Sequence, residues 1–514
     1  MRSGSTGIFV GYWSIGFTGH RKVAEPDKIA SVIAAELQNL RSHVVGSLIG
    51  ISSVASGADT LFAKEVLKAG CQWFAMLPFP REEFEKDFGA DEWKEALECL
   101  ERATLEEVWA LQADRPNAYA DVGIDMVERS DILMAVWDGA ASRGAGGTAE
   151  IVEYARENRK PLVWIHASTG IVSYEHWPEG HFEDRAFDAL HRLPCGKSIP
   201  TDGPPLDRLF LRLDDAARTT IPSMRFQEIR VVVYNSIATT IALAALALHW
   251  MAFDLVTLNF QFVLAGFVAA CFLHFRKAGG KYVEARLIAE ICRSLIATRG
   301  FPERLNSPYR FSVPRLKHTL RCIMIMRDIE KSQGHLQPSH ADLMKFRDEY
   351  LRLRIQDQLG YYRKHRTRSA PRVVLYARMA FFASMLAVAA TFVGECIGWR
   401  FVDHWGFPFM ARWILHPGQF PAGVIAAPDS KLISLIGIVA PSLVAIVTSI
   451  LSVNEHRRRD GRYREMEQLL TAAERRLSHV VTLCAIKQVV VDTESALLAE
   501  NFEWYYQAVG SEGH

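Results

Sequence analysis

Four apolar segments break up the second half of this chain, and they constrain its fold more than any other feature. They are Val231–Met251, Leu255–Phe275, Val374–Trp399 and Leu432–Val453. A helix needs about 20 mostly apolar residues to cross a bilayer core, and all four meet that length. The first reads VVVYNSIATTIALAALALHWM, and apart from its tyrosine the one ionisable side chain is His249, at its far end. The expectation is four transmembrane helices arranged as two hairpins.

Charge sets the orientation. Arg225 and Arg230 precede the first segment, Arg276, Lys277 and Lys281 follow the second, and Arg363, Lys364, Arg366, Arg368 and Arg372 precede the third. Arg457, Arg458 and Arg459 follow the fourth, so all these cations fall on one side, which the positive-inside rule makes the cytoplasm. The longer second turn, Arg400–Lys431, carries Trp405 and Trp413, which suit an outer interface. The reading is a multi-pass inner-membrane protein with both termini cytoplasmic and the lipid bilayer as one partner. The N-terminal GIFVGYWSIGF is short, glycine-rich and without a small-residue cleavage site, so it reads as a first strand rather than a signal peptide. Polar residues inside apolar helices usually face a bundle interior or a water path, which makes Asn235, Asn259, Gln261 and Glu395 pore candidates.

The chain has 514 residues, enough for two or three domains. Its net charge of +1 gives no electrostatic case for nucleic acid. The cysteines at 71, 99, 195, 271, 292, 322, 396 and 484 form no C-x-x-C pair and no Cys/His cluster. That supports neither a metal site nor a disulfide framework.

The first half reads as α/β, Rossmann-like: a parallel sheet with helices on both faces. Runs rich in β-branched and aromatic residues (Trp13–Phe17, Ser47–Val54, Trp73–Leu77, Ile132–Trp137, Leu162–His166) alternate with helical patterns. In such sheets ligands bind beyond the carboxyl ends of the strands. Three loops fall there. The first offers Gly16, Thr18, Gly19, His20 and Arg21. The second offers Ser56, Gly57 and Asp59 where a helix opens. The third offers Asp138, Gly139, Gly146, Gly147, Thr148 and Glu150. Glycines allow close backbone approach to a phosphate, and helix-opening amides with hydroxyl or cationic neighbours can cradle an anion. The expected partner is a nucleotide or nucleotide-derived second messenger, held as ligand rather than as cofactor.

The motifs GFTGHR, SGADTLFAKEVLKAG, YADVGIDMVERSDILMAVWDG and GGTAEIVEYA, in this order over residues 10–168, resemble the SLOG family of Rossmann-like nucleotide-sensing domains. That family includes cytokinin-activating phosphoribohydrolases, DNA-processing proteins and the sensor region of melastatin-type TRP channels. The resemblance implies a nucleotide pocket at the glycine loops. Hydrolytic members carry a glutamate, matched here by Glu150, and an arginine in the helix before the SD strand. The place of that arginine falls near Val122–Gly123, so the catalytic set is incomplete and binding is favoured over hydrolysis.

Residues 169–224 read as a linker. Over 225–510, the patterns Tyr282 to Glu290, Arg354 to Tyr362 and Ala499 to Trp504 resemble the SLATT membrane module. That resemblance implies a pore-forming, oligomeric effector in bacterial defence against phage, gated by the nucleotide signal. A membrane-anchored nucleotide N-glycosidase or phosphoribohydrolase, with Glu150 as its catalytic residue, is the alternative.

Overall fold

A computed structural model describes residues 11–108, 115–141, 146–219 apart from 181, 184, 197–199 and 201, 281–332 apart from 303–304 and 306–312, 339–367, three single positions (378, 382 and 385), and 456–509. Two compact units are present: one comprises 1–213, 288–302 and 306–338, the other 214–287, 303–305 and 339–514.

The first unit is built on a seven-stranded sheet. In chain order it runs β1 Tyr12–Gly19, α1 Pro26–His43, β2 Ser47–Ser52, α2 Ala58–Lys68, β3 Gln72–Leu77, α3 Arg81–Phe84, α4 Ala90–Leu100, β4 Leu105–Val108, α5 Arg115–Arg129, β5 Ile132–Trp137, α6 Thr148–Glu157, β6 Leu162–His166, β7 Val172–Glu175 and α7 Arg185–His191. A helix over 205–219 follows (α8), of which 205–213 belong to this unit, another covers 281–298 (α9), of which 288–298 do, and α10 is Lys317–Ser332. The strand order is β4-β3-β2-β1-β5-β6-β7, parallel throughout except for the antiparallel β6–β7 pair. Consecutive strands walk outward from β1 to β4, and the chain then returns to the other side of β1 to add β5. The topological switch therefore lies between β1 and β5, whose register pairs Phe17 with Met134 and Gly19 with Val136.

Strand periodicity explains why both faces are covered. Trp73, Ala75 and Leu77 of β3 and Ile132, Met134 and Val136 of β5 join a core with α1, α2 and α4. The alternate residues Phe74 and Met76, and Leu133, Ala135 and Trp137, join a second core with α5, α6 and Ile325 of α10. In α1, Pro26 opens the helix with a preset φ, and Ile29, Ile33, Leu37 and Leu40 form the buried stripe. Arg41 and His43 in its last turn suit the carboxyl end of the helix dipole. Ile33→Asp would bury an unpaired charge there and break this layer.

A polar cluster anchors α10 to the amino end of the sheet. Asp131, just before β5, takes the Ser14 backbone N–H (3.0 Å) and hydroxyl (2.8 Å) on Oδ2. Its Oδ1 takes His318 Nδ1 (2.9 Å) and Arg321 Nη1 (2.7 Å). His318 also stacks on Trp13, with ring centroids 3.8 Å apart. Cys322, one turn further along α10, donates its thiol to the Tyr12 carbonyl at 3.1 Å. Burial alone would raise the Asp131 carboxyl, but the His318 and Arg321 cations and the hydrogen bonds outweigh it and hold it well below the usual range. For His318, burial opposes the charge, yet the Asp131 carboxylate and its hydrogen bond push the imidazole up to about 10. Nearby Lys160 donates to the Ser130 carbonyl, and burial, reinforced by Arg321, pushes its ammonium down to about 6.

In the second unit, helix α11 (His340–Tyr350) opens on Ser339, whose hydroxyl accepts the Asp342 N–H in a capping box. It runs through a π-helical stretch, Leu351–Gln356, into a helix over 357–367 (α12). Helices α13 (His456–His479) and α14 (Leu483–Val509) complete it. Arg354 and Glu494 form a buried bidentate pair (2.9 and 2.8 Å), and Tyr350 donates to the same carboxylate at 2.7 Å. Tyr362 donates to Glu500. The Arg354 to Tyr362 and Ala499 to Trp504 sequence patterns thus meet each other.

The expectation of a membrane domain with four transmembrane helices requires correction. Among the described residues, no helix is long and apolar enough to cross a membrane. The longest, α13 with 24 residues and α14 with 27, have the length, but charges interrupt them. Helix α14 alone carries Lys487, Asp492, Glu494, Glu500 and Glu503. The segments 231–251, 255–275 and 432–453, and all but three positions of 374–399, lie outside the described residues. So do the pore candidates Asn235, Asn259, Gln261 and Glu395. The multi-pass inner-membrane placement with cytoplasmic termini and the pore reading are withdrawn on this finding.

Candidate functional site

The carboxyl ends of β1, β2 and β5 bring together most of the residues singled out from sequence. Beyond β1, the His20 backbone N–H donates to the Val136 carbonyl of β5 at 3.1 Å, and the Ala58 N–H of α2 donates to the His20 carbonyl at 3.0 Å. This segment ties the ends of both neighbours together. His20 Nε2 lies 3.1 Å from Asp138 Oδ1 and 3.2 Å from the Asp138 backbone nitrogen. The pair spans the topological switch. Nε2 accepts the backbone N–H in one ring tautomer and donates to the carboxylate in the other. The Ala140 N–H (2.9 Å) and then the imidazole hold the Asp138 carboxyl below its ordinary range.

Two glycines are required by this geometry. Gly57 has φ +89°, and a Cβ there would sit 2.2 Å from the Arg21 carbonyl oxygen. Gly146 has φ +76°, and a Cβ would sit 2.7 Å from the Ala120 nitrogen. The first lets α2 approach the β1 loop, and the second seats the α6 loop against α5. Gly147 is the N-cap of α6 in extended conformation (φ −75°, ψ 157°), followed by Thr148 as the first helical residue.

Asp59, the second residue of α2, is 7 % exposed. Its Oδ1 has no hydrogen-bond partner. Burial raises its carboxyl well above the usual range, opposed by the Arg21 charge and by backbone hydrogen bonds at Gly19 and Ala55. The Arg21 guanidinium lies 5.0 Å from the Tyr119 ring centre. The Tyr119 hydroxyl donates to Asp87, and Arg115 pairs with both Asp87 and Glu83. Burial and then the Asp87 bond raise the phenol.

Several candidates make contacts within the fold. Gly16 is buried inside β1, where a Cβ would meet the Ser130 side chain at 2.8 Å. The Ser56 hydroxyl donates to Glu92 Oε1 at 2.9 Å, and the other Glu92 oxygen caps α4 through the Gly89 N–H. Glu150 Oε2 accepts the Gly146 N–H at 2.6 Å. Thr18 is half-buried in β1, and Gly139 (φ +83°) turns the chain after β5. Gly19 lacks the Cβ that would strike Ala58, at 2.5 Å. At the place of the family's arginine, Val122 is buried, and Gly123 packs where a Cβ would meet Ile151 at 2.3 Å.

Sequence reasoning missed Asp87, Arg115 and Tyr119 as a wall beside Arg21. No spacing rule signals them, because Asp87 belongs to a short 3-10 turn and the other two open α5. Among the described residues no group of three or more His, Cys, Asp or Glu could hold a metal ion. No protein-family model matches the chain, and no curated protein sequence matches it significantly.

Proposed function

We propose that the chain binds a nucleotide or nucleotide-derived signal at the carboxyl ends of β1, β2 and β5, in the manner of the SLOG-type sensor it resembles. The observation that carries this reading is the convergence of three loops at the switch between β1 and β5, the position where doubly wound sheets take ligands. The groups offered there suit a nucleotide. The N-terminus of α6 opens with an extended glycine and a hydroxyl residue, Gly147 and Thr148, in the arrangement that accepts an anion. Arg21 supplies a cation and, with Tyr119, a flat surface for a base.

Binding is favoured over hydrolysis by two features. The Glu150 carboxylate is engaged by the Gly146 N–H. The family's arginine position carries Val122 and Gly123, which pack rather than present charge.

The test is equilibrium binding of the full chain to AMP, ADP-ribose and cyclic di-AMP, followed by chromatography of each mixture. Saturable binding of one of them, recovered intact, is expected. Consumption of the nucleotide would make the chain an enzyme and direct attention to Glu150 and the His20–Asp138 pair. No binding by a folded chain would end the nucleotide reading.

A further inference from the structure

The second unit holds a basic cavity of its own. We propose that this cavity, between α12 and α13, binds a polyphosphate group of two or more phosphates, free or carried by a nucleoside.

The two helices meet through several contacts. Glu467 of α13 takes Arg363 Nε of α12 on one oxygen at 3.2 Å and Arg366 of α12 on the other. The Tyr362 and Tyr463 rings pack edge to face, with centroids 5.6 Å apart. Gln356, just before α12, donates to Glu474 of α13 at 3.1 Å. The cavity beside these contacts has a volume of about 490 Å³, and its lining includes Arg366, Arg464, Glu467, Gln468, Thr471 and Arg475. That volume lies in the range of small-molecule sites.

The α13 wall follows helical spacing. Residues 464, 468, 471 and 475 fall three or four apart, so they form one stripe along the helix. Three guanidinium groups thus face one space. Among the described residues Glu467 is the one carboxylate in the lining, and Arg363 and Arg366 already share it. Among the described residues Arg475 has no ion pair, whereas its neighbour Arg476 has Asp492 at 3.6 Å. Like charges around one space repel, and an anion there relieves the repulsion while gaining charge-assisted hydrogen bonds.

The number and spacing of the cations select the anion. Three arginines against one glutamate leave two positive charges in the lining, which a singly charged ligand does not balance. Arg464 and Arg475 are also about 16 Å apart along the helix axis. Side chains on one helix lean the same way, towards its N-terminus, so these two heads stay apart. A single phosphate reaches one of them. A chain of phosphates engages more, with Arg366 across the cavity, and guanidinium matches phosphate geometry.

The test is calorimetric titration of the full chain with inorganic triphosphate, pyrophosphate and phosphate. Wild type is expected to bind triphosphate saturably, at least about tenfold more tightly than phosphate, with affinity that falls as salt rises. Arg475→Gln is expected to lose about tenfold in triphosphate affinity. Its ligand-free Tm should match wild type, because Arg475 is exposed. Gly147→Asp, altered in the first unit, should bind triphosphate as wild type does. ATP added to Gly147→Asp separates the two sources. Tighter binding than triphosphate assigns a nucleoside polyphosphate, equal binding assigns a free polyphosphate, and both support the site.

Undiminished triphosphate affinity in Arg475→Gln overturns the proposal, as does a marked fall in its ligand-free Tm. Loss of triphosphate binding in Gly147→Asp but not in Arg475→Gln also overturns it, by moving the anion to the first unit. No triphosphate binding by folded wild type overturns it too, and leaves the nucleotide reading of the first unit standing.

Discussion

At the amino end of the sheet both oxygens of Asp131 are bonded, to Ser14 on one side and to His318 and Arg321 on the other. At the carboxyl end, one oxygen of the equally buried Asp59 is bonded to nothing. Both carboxylates sit next to strands of the same sheet, and both have arginine nearby. The difference lies in completeness. The Asp131 network is closed and joins two distant stretches of chain, so its role ends with the fold. At Asp59 the partners are backbone groups at Gly19 and Ala55 of the loops that end β1 and β2, and one oxygen is left without a hydrogen bond inside the fold.

The largest expected effect breaks the closed end. Asp131→Ala leaves His318 and Arg321 buried without their anion, and should cost about 3–5 kcal/mol in denaturant unfolding. A loss below about 1 kcal/mol would show that the cluster does not hold α10. At the open end, Gly57→Ala forces a side chain into a left-handed conformation against the Arg21 carbonyl. About 1–3 kcal/mol of stability and the ligand affinity should be lost together, as unfolding and titration of the variant would show.

The pH dependence sharpens the contrast further. His318 in the fold titrates near 10, above its ordinary 6.5, so its contribution is full below 6.5 and is lost as pH rises through 10. Lys160 in the fold titrates near 6, below its ordinary 10.5. Its burial therefore costs stability increasingly as pH falls below 10.5, and fully below 6. Between 6.5 and 10 the folded state holds an extra proton at His318 and lacks one at Lys160, so the two slopes cancel. Lys160→Met should unmask the histidine, giving stability that declines by up to about 1.4 kcal/mol per pH unit over that window. Urea unfolding at several pH values would show it, and a variant as flat as wild type would contradict it.

The smallest effect on stability belongs to the most specific probe. Gly147 has N-cap geometry, where aspartate is favoured, so Gly147→Asp should leave the Tm unchanged or slightly raised. It nevertheless places an anion where a phosphate would sit.

Much of the sheet was legible because β1, β2, β3, β5 and β6 are continuous apolar runs, as strands buried on both faces must be. The two edge strands were not. Leu105–Val108 reads LEEV and Val172–Glu175 reads VSYE, short and half polar because an edge faces less core. The glycine loops were legible as a group but not one by one: Gly16 packs against Ser130, Ser56 serves the α4 cap, and Glu150 closes on Gly146. The Asp131–His318 contact joins residues 187 apart and has no sequence signature. Four apolar runs gave the membrane expectation; they lie outside the described residues, and among those residues no helix is long and apolar enough to cross a membrane.

The central claim is tested most directly by calorimetric titration of wild type and Gly147→Asp with AMP, ADP-ribose and cyclic di-AMP at one salt concentration. Saturable binding of one nucleotide to wild type is expected, with a loss of at least about tenfold in Gly147→Asp and a variant Tm at or slightly above that of wild type. Undiminished affinity in the variant, or no heat from any nucleotide with folded wild type, would contradict it.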